Sequence, residues 1–275
     1  MVHHAHAAPP QGFDDALAMR VLDGALAAGA VVYGISGLQG SGKSTLAAQV
    51  VAAATGRGLR AVALSLDDVY LDVPARRALA RDVHPLLATR GPPGTHDLPL
   101  ALATLDALRA GRRTRLPRFD KLGDRRLPRS QWPLVGPVDL VVFEGWCLCT
   151  PPEPAAGLVE PVNTLEREHD AGGAWRGYCN AALARDYPAL WERVDRLLFL
   201  QPPGFEVVAS WRWQQEQALQ AGSPTRPAMT RSQVTRFVQH FERVSRQALR
   251  ILPAQADAVI ELDAARRTVG CRGLA

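Results

Sequence analysis

Gly37-Leu38-Gln39-Gly40-Ser41-Gly42-Lys43-Ser44 is the segment from which the rest of the chain can be understood. It fits G-x-x-x-x-G-K-[S/T], and it stands between two segments of opposite character. Before it, Ala30-Val31-Val32-Tyr33-Gly34-Ile35-Ser36 is a short apolar run that reads as a buried strand. After it, residues 44–54 carry a helical pattern. A strand, a glycine-rich turn and a helix in this order make a phosphate cradle. The glycines let successive backbone N–H groups face an anion, and the helix adds its positive N-terminal end. Gly37, Gly40, Ser41, Gly42, Lys43, Ser44 and Thr45 are therefore the nucleotide-binding candidates. Lys43 reaches the β- and γ-phosphates, the Ser44 hydroxyl ligates Mg²⁺, and Thr45 meets the α-phosphate or caps the helix.

Outward from this loop, the apolar runs at 60–66, 138–144, 196–200 and 258–262 also read as buried strands. Helical patterns fill the intervals at 98–110, 163–186, 204–220 and 229–252, the last with Thr230 as N-cap and Pro253 as stop. A further helix precedes the first strand, with Phe13, Ala16, Leu17, Val21 and Leu22 on one face. Five short buried strands alternating with helices predict an α/β, three-layer fold with a five-stranded, mainly parallel sheet, and the phosphate cradle makes it a P-loop NTPase fold. Without repeat or linker, 1–275 reads as a single domain. Residues 1–12, with His3, His4 and His6, read as a flexible end, and 67–136 as acceptor-binding and lid insertions. Gly222-Ser223-Pro224 breaks the helical pattern near 220.

Two strands end in acids. Ala63-Leu64-Ser65-Leu66 runs into Asp67-Asp68, and Val141-Val142-Phe143 runs into Glu144-Gly145. Ligands of open parallel sheets collect beyond the carboxyl ends of the strands, so both acids face the cradle. One such acid can order magnesium and the other can take a proton from an attacking hydroxyl. Glu144 is assigned to the metal with Ser44, and Asp67 to the base. Asp68 is the alternative base, or else a turn cap or magnesium partner.

Composition narrows the class. The chain has 275 residues, of which 47% are hydrophobic, enough to bury a core without staples. Of its 32 basic residues only two are lysines, Lys43 and Lys121. Arg does not replace Lys where a compact point charge is needed, which singles out both positions. The net charge of +5 is scattered, with no basic stripe interleaved with aromatics, so nucleic acid is not an expected partner. No apolar stretch approaches a membrane span, and Cys147, Cys149, Cys179 and Cys271 lack metal-ligand spacing. A cytoplasmic enzyme with free thiols, acting on a small molecule, is the expectation.

The middle of the chain offers groups for a small hydroxy acid. Arg90, Arg118, Lys121 and Arg125 supply cations for a carboxylate, and His96, Asp97 and Asp120 supply polar partners. For Asp120 and Arg125 a solvated loop accounts for the charges equally well.

With these residues in hand, the chain resembles the glycerate kinase family of plant and fungal type, close to uridine kinases, pantothenate kinases and phosphoribulokinases. The resemblance is carried by Ser65-Leu66-Asp67-Asp68-Val69-Tyr70, Arg90-Gly91-Pro92-Pro93-Gly94-Thr95-His96-Asp97 and Leu116-Pro117-Arg118-Phe119-Asp120-Lys121 with Gly123-Asp124-Arg125. Phe143-Glu144-Gly145-Trp146 and Ser210-Trp211-Arg212-Trp213-Gln214-Gln215-Glu216 extend it across most of 30–262. It implies the kinase type of P-loop NTPase fold and ATP-dependent phosphorylation of D-glycerate on a hydroxyl, with the Mg²⁺ already assigned to Ser44 and Glu144. It also implies Tyr70 and Asp68 among the substrate-binding residues, and Arg212 as a phosphate-contacting arginine. Phe119 stands where such kinases often have Tyr, Val69 where they often have Phe, and Leu122 replaces the Ser of D-K-S; these changes reshape the acceptor loop. The remaining alternatives are a P-loop kinase for a nucleoside, pantothenate or sugar phosphate, and an NTP-driven switch or assembly ATPase.

Overall fold

A computed structural model describes residues 12–222 and 228–274. The expectations placed on His3, His4, His6 and Ser223-Pro224 lie outside these residues. In chain order the first elements are α1 (Asp15–Ala27), β1 (Val32–Gly37), α2 (Lys43–Gly56) and β2 (Ala61–Ser65). A 3₁₀ turn at Leu66–Val69 leads to α3 (Val73–Asp82) and α4 (Leu98–Arg109). Two small ribbons follow, in which β3 (Thr114–Arg115) pairs with β6 (Leu134–Val135) and β4 (Phe119–Asp120) pairs with β5 (Arg125–Arg126). The second half holds β7 (Leu140–Gly145), α5 (Thr164–His169), α6 (Ala174–Arg185), α7 (Pro188–Trp191), β8 (Arg196–Gln201), α8 (Val208–Gly222), α9 (Arg231–Gln255), β9 (Ala258–Leu262) and β10 (Thr268–Arg272).

The central sheet has the order β10-β9-β8-β1-β7-β2. The strands β1, β2, β7, β8 and β9 run parallel, and β10 returns antiparallel on β9 at one edge. The sheet thus has six strands where five were expected. The missed strand, Thr268–Arg272, is mostly exposed and has no apolar run, because it covers an edge and is not covered itself.

The central strands are buried on both faces, which is why they read as continuous apolar runs. Successive side chains point to opposite sides. Val141, Phe143, Leu197 and Phe199 pack with α4, α6 and α9. Val142, Leu198, Leu200 and Ile35 pack with α1 and α2. Three layers result.

The expected helix over 163–186 is two helices. The chain breaks at Gly173, which adopts φ 75°, and Asp170 accepts the Trp175 N–H at 2.8 Å to start α6. Thr230 does cap α9, in a reciprocal box with Gln233, but Pro253 lies inside the last turn and the helix runs on to Gln255. A proline there forfeits one hydrogen bond near an end that is already frayed. Buried Arg243 anchors α9 by donating to Glu153 at 2.7 Å and Glu166 at 2.6 Å. That anchor sets the depth at which Phe241, two residues earlier on the same helix, meets Trp146 from the end of β7.

Candidate active site

The loop after β1 bends around a space into which the N-terminus of α2 points. Gly40 and Gly42 both take left-handed backbone, φ 79° and 93°. At Gly40 a Cβ would lie 2.7 Å from the Trp211 Cβ, so α8 packs directly on the loop. The Ser41 hydroxyl is buried with no hydrogen-bond partner among the described residues. Lys43 is 8% exposed, and its Nζ donates to the Leu38 carbonyl at 3.0 Å. Burial pulls its pKa down, against the pull of the Glu144 and Asp67 carboxylates. A buried cation, an orphaned hydroxyl and a curved run of amides form the donor set of a polyphosphate site.

Glu144 ends β7 beside the loop because β7 pairs in register with β1, Ile35 opposite Glu144. The Ser44 hydroxyl donates to Glu144 Oε1 at 2.8 Å. A hydroxyl and a carboxylate at this separation fit the oxygen ligands of a hard divalent cation.

Asp67 follows β2 on the neighbouring strand. The Tyr70 hydroxyl donates to its Oδ1 at 2.5 Å and the Lys121 Nζ to its Oδ2 at 2.6 Å. Burial alone would raise this carboxyl, but Lys121, Tyr70 and Lys43 outweigh it and hold the pKa at about 2. Lys121 is raised in turn, first by the Asp67 charge. The two lysines of the chain thus flank the two strand-end acids.

A cleft of about 560 Å³ gathers these groups. Of the residues singled out from sequence, Gly40, Lys43, Ser44, Asp67, Tyr70, Arg90, Lys121, Glu144 and Arg212 line it. Arg90 is aimed by Asp124, which accepts from its Nη1 at 2.6 Å, and its guanidinium lies 5.7 Å from the Phe119 ring centroid. Arg212 pairs with Glu216 at 3.1 Å and lies 5.9 Å from the Phe237 ring centroid. Gly42, Ser41 and Thr45 line the adjoining pocket, and the Cβ position of Gly37 is closed by Leu200.

Other candidates have different neighbours. Asp68 accepts from Arg118 at 3.0 Å and from the Phe119 N–H at 3.2 Å, tying the 3₁₀ turn to β4. Burial raises the Asp68 carboxyl despite Arg118. Asp97 caps α4 through the Leu100 N–H and pairs with Arg126 at 2.9 Å. Asp120 accepts the Leu122 and Gly123 N–H groups in a turn, and Arg125 beside it is exposed. His96 is 5% exposed and sits behind Tyr70, ring centroids 5.0 Å apart, with Nδ1 2.6 Å from the Tyr187 hydroxyl. Burial depresses its pKa to about 4, so it is neutral near pH 7. Asp68, His96, Asp97, Arg118, Asp120 and Arg125 therefore do not reach the cleft wall; they shape the loops that carry Asp67, Arg90 and Lys121.

Sequence reasoning missed the apolar wall. Trp146, Phe237, Phe241 and Leu122 line the cleft together with the charged groups. Phe237 and Phe241 are one turn apart on α9, a spacing that also describes ordinary core. Leu122 is 65% exposed at the tip of the β4–β5 turn. No group of three or more potential metal ligands (His, Cys, Asp, Glu) occurs among the described residues, and no described helix is long and apolar enough to cross a membrane.

The Asp67–Lys121 pair has a pH signature. Its folded pKa is below the ordinary carboxyl value of 3.8, so the pair's contribution is present above that value and is lost as pH falls toward 2. In Lys121→Met the largest opposing charge is gone and burial prevails. The Asp67 carboxyl then titrates at higher pH, and the acid limb of kcat/KM moves upward with it. A limb unmoved by the substitution would reject the pairing.

No protein-family model matches the chain. It is 34% identical over 221 residues to mug58 of Schizosaccharomyces pombe, described as an uncharacterized kinase, covering 76% of this chain and 78% of that protein. It is 32% identical over 231 residues to the chloroplastic D-glycerate 3-kinase of Arabidopsis thaliana, covering 77% of this chain but only 46% of the longer plant protein. The solved structure of D-glycerate 3-kinase from Cryptococcus neoformans var. grubii matches with a TM-score of 0.74 at 28% identity, over 94% of this chain and 97% of that one.

Proposed function

The chain belongs to the glycerate kinase family of plant and fungal type, and on that basis we propose that it transfers the γ-phosphoryl group of ATP, with Mg²⁺, to a hydroxyl of D-glycerate. The observation that carries the reading is the placement of Asp67. It is a half-buried carboxylate held by Tyr70 and Lys121, in one cleft with the Lys43–Ser44–Glu144 cradle and with Arg90.

The cradle has the donors a triphosphate needs, and Ser44 and Glu144 are the pair that would hold the metal. When bound, magnesium ATP supplies the electrophilic phosphorus and the charge that screens its oxygens. The protein's own part is positioning and charge neutralisation, since phosphoryl transfer through a loose transition state leaves little covalent work. Lys43 presents a desolvated ammonium to the transferring group. Arg212 faces the same space from α8 and adds a second cation there. Asp67, ionised at neutral pH, orients the acceptor hydroxyl and receives its proton. Its low pKa suits a proton transfer that comes late, after the oxygen has begun to bond to phosphorus.

Residues 67–136 carry the acceptor side of the cleft. Arg90 and Lys121 are its cations, and both are set to meet a carboxylate. A glycerate carboxylate competes with Asp67 for Lys121, which frees one Asp67 oxygen for the substrate hydroxyl. The apolar wall of Trp146, Phe237 and Phe241 excludes water from the transfer, which suppresses ATP hydrolysis.

The relatives with a named activity act at the 3-position, and we extend that position to this chain. The test is steady-state kinetics with D-glycerate and glycerol, with phosphorus NMR of the product. Two charge-assisted contacts to a carboxylate imply a preference of about 10²-fold or more for glycerate. Equal kcat/KM for glycerol and glycerate would reject the carboxylate clamp. ATP turnover independent of any acceptor would point instead to a switch or assembly ATPase.

A further inference from the structure

Two charged side chains outside the cleft join the segments that carry its acceptor groups. Neither Arg76 of α3 nor Asp124 of the β4–β5 turn lines the cleft. Arg76 is only 3% exposed, an uncommon setting for a charged side chain. Its guanidinium reaches three separate segments. Nε donates to the Leu71 carbonyl at 3.0 Å, Nη1 to the Ala88 carbonyl at 2.6 Å and Nη2 to Asp124 Oδ2 at 2.6 Å. Leu71 follows Tyr70, Ala88 shortly precedes Arg90, and Asp124 shortly follows Lys121. One buried fork therefore ties the segments of Tyr70, Arg90 and Lys121 to each other.

Asp124 completes the junction from the other side. It closes the β4–β5 turn in left-handed backbone, φ 50°, a conformation that Asp tolerates better than most residues. Asp120 fills the inside of this turn, where a Cβ on Gly123 would collide with its carboxylate. The turn brings one Asp124 oxygen to Arg76 and the other to Nη1 of Arg90, each at 2.6 Å. Burial would raise this carboxyl, but Arg76 and Arg90 outweigh it and hold its pKa below the ordinary value. Nη2 of Arg90 then donates to the Lys121 carbonyl at 2.9 Å. The foot of the ribbon is fastened separately. The Arg126 N–H donates to Asp72 Oδ1 at 2.8 Å, and the Arg126 guanidinium meets the Tyr70 carbonyl at 3.0 Å and Asp97 at 2.9 Å. Asp124 thus governs the tip that carries Lys121, not whether the ribbon forms.

We propose that Arg76 and Asp124 are a positioning pair for acceptor recognition: they set the aim of Arg90 and Lys121, and with it the selectivity for an acceptor that carries a carboxylate. The assignment rests on the kinase reading above and deepens it, from which cations meet the carboxylate to what holds them there. Like charges gathered at one site repel, and an anion fixed behind them offsets that repulsion. Asp124 touches Arg90 directly and reaches Lys121 through the Arg90 hydrogen bond to its backbone. An acceptor without a carboxylate gains nothing from this arrangement.

The experiment is a double-mutant cycle in the full-length protein with Asp124→Asn, Arg90→Met and their combination, read by steady-state kinetics on D-glycerate, glycerol and magnesium ATP. Asn also adopts left-handed backbone, and its single carbonyl oxygen serves buried Arg76, which leaves Arg90 without its acceptor. For Asp124→Asn the expected result is a KM for D-glycerate raised roughly tenfold, the scale of one charge-assisted contact, with kcat within about threefold. Catalytic efficiency with glycerol and KM for magnesium ATP should stay within about twofold, so the preference for glycerate falls by roughly tenfold. In the Arg90→Met background Asp124→Asn should add almost nothing, because its target is gone. Arg76→Lys, which keeps the charge but not the fork, should erode the same preference. The ratio of efficiencies on two acceptors does not depend on how much of a variant is folded. Equal losses on glycerate and glycerol would therefore overturn the proposal and make the pair a prop of the fold. Full additivity in the cycle, or an unchanged KM for D-glycerate, would overturn it as well. Equal efficiencies for glycerate and glycerol in the unmodified protein would instead strike the carboxylate clamp, and the positioning pair with it.

Discussion

Lys43→Ala is expected to abolish measurable phosphoryl transfer, a loss of roughly 10³-fold or more in turnover. The ammonium is almost fully buried, and it donates to the Leu38 carbonyl inside the same loop. Burial makes its charge costly, and an anion in the cradle offsets that cost. Its interaction therefore strengthens as charge develops on the transferring group, and this is the kind of contact that accelerates a reaction. Lys43→Arg should fail nearly as badly. A planar fork needs space that the loop does not have, since Leu200 and Trp211 already touch the glycine backbone from outside. Single-turnover measurements on both variants, alongside thermal melts, separate chemistry from folding. Near-normal turnover by the Arg variant would contradict the assignment.

Asp67→Asn is expected to lower turnover by about 10²- to 10⁴-fold while ATP still binds. The amide keeps the shape but removes the negative charge that both Lys121 and Tyr70 are arranged around. The neighbouring Asp68→Asn should be far milder for catalysis. Asp68 is spent on Arg118 and the Phe119 N–H, contacts that fasten β4 to the turn after β2. Its loss should appear as a lower melting temperature with KM raised more than kcat is lowered. If Asp67→Asn stays active and Asp68→Asn does not, the two roles are exchanged.

The phosphate loop and the sheet were legible because their constraints are local. A left-handed turn between a buried strand and a helix admits glycine almost alone, and a strand buried on both faces must be continuously apolar. Glu144 and Asp67 were legible for a related reason. A parallel sheet brings all its strand ends to one rim, so an acid after an apolar run has its position set by topology. Lys121 stood out only because all but two of the 32 basic residues are arginine.

The middle of the chain was another matter. His96, Asp97, Arg118 and Asp120 have the chemistry of a binding site, yet each is turned toward the protein: onto Tyr70 and Tyr187, onto a helix N-terminus, onto Asp68, into a turn. The direction of a side chain on an irregular loop depends on what packs behind it, and no periodicity records that. The wall of Phe237 and Phe241 was hidden because an apolar pair one helical turn apart looks the same facing a core or facing a cleft. The sixth strand was hidden because an edge strand carries no burial pattern. Residue order alone was enough for the fold, the phosphate cradle and the two strand-end acids, since these follow from backbone sterics and strand order. Which charged loop residues face the cleft and which brace it was settled only on folding, because that choice is made by contacts between segments far apart in the chain.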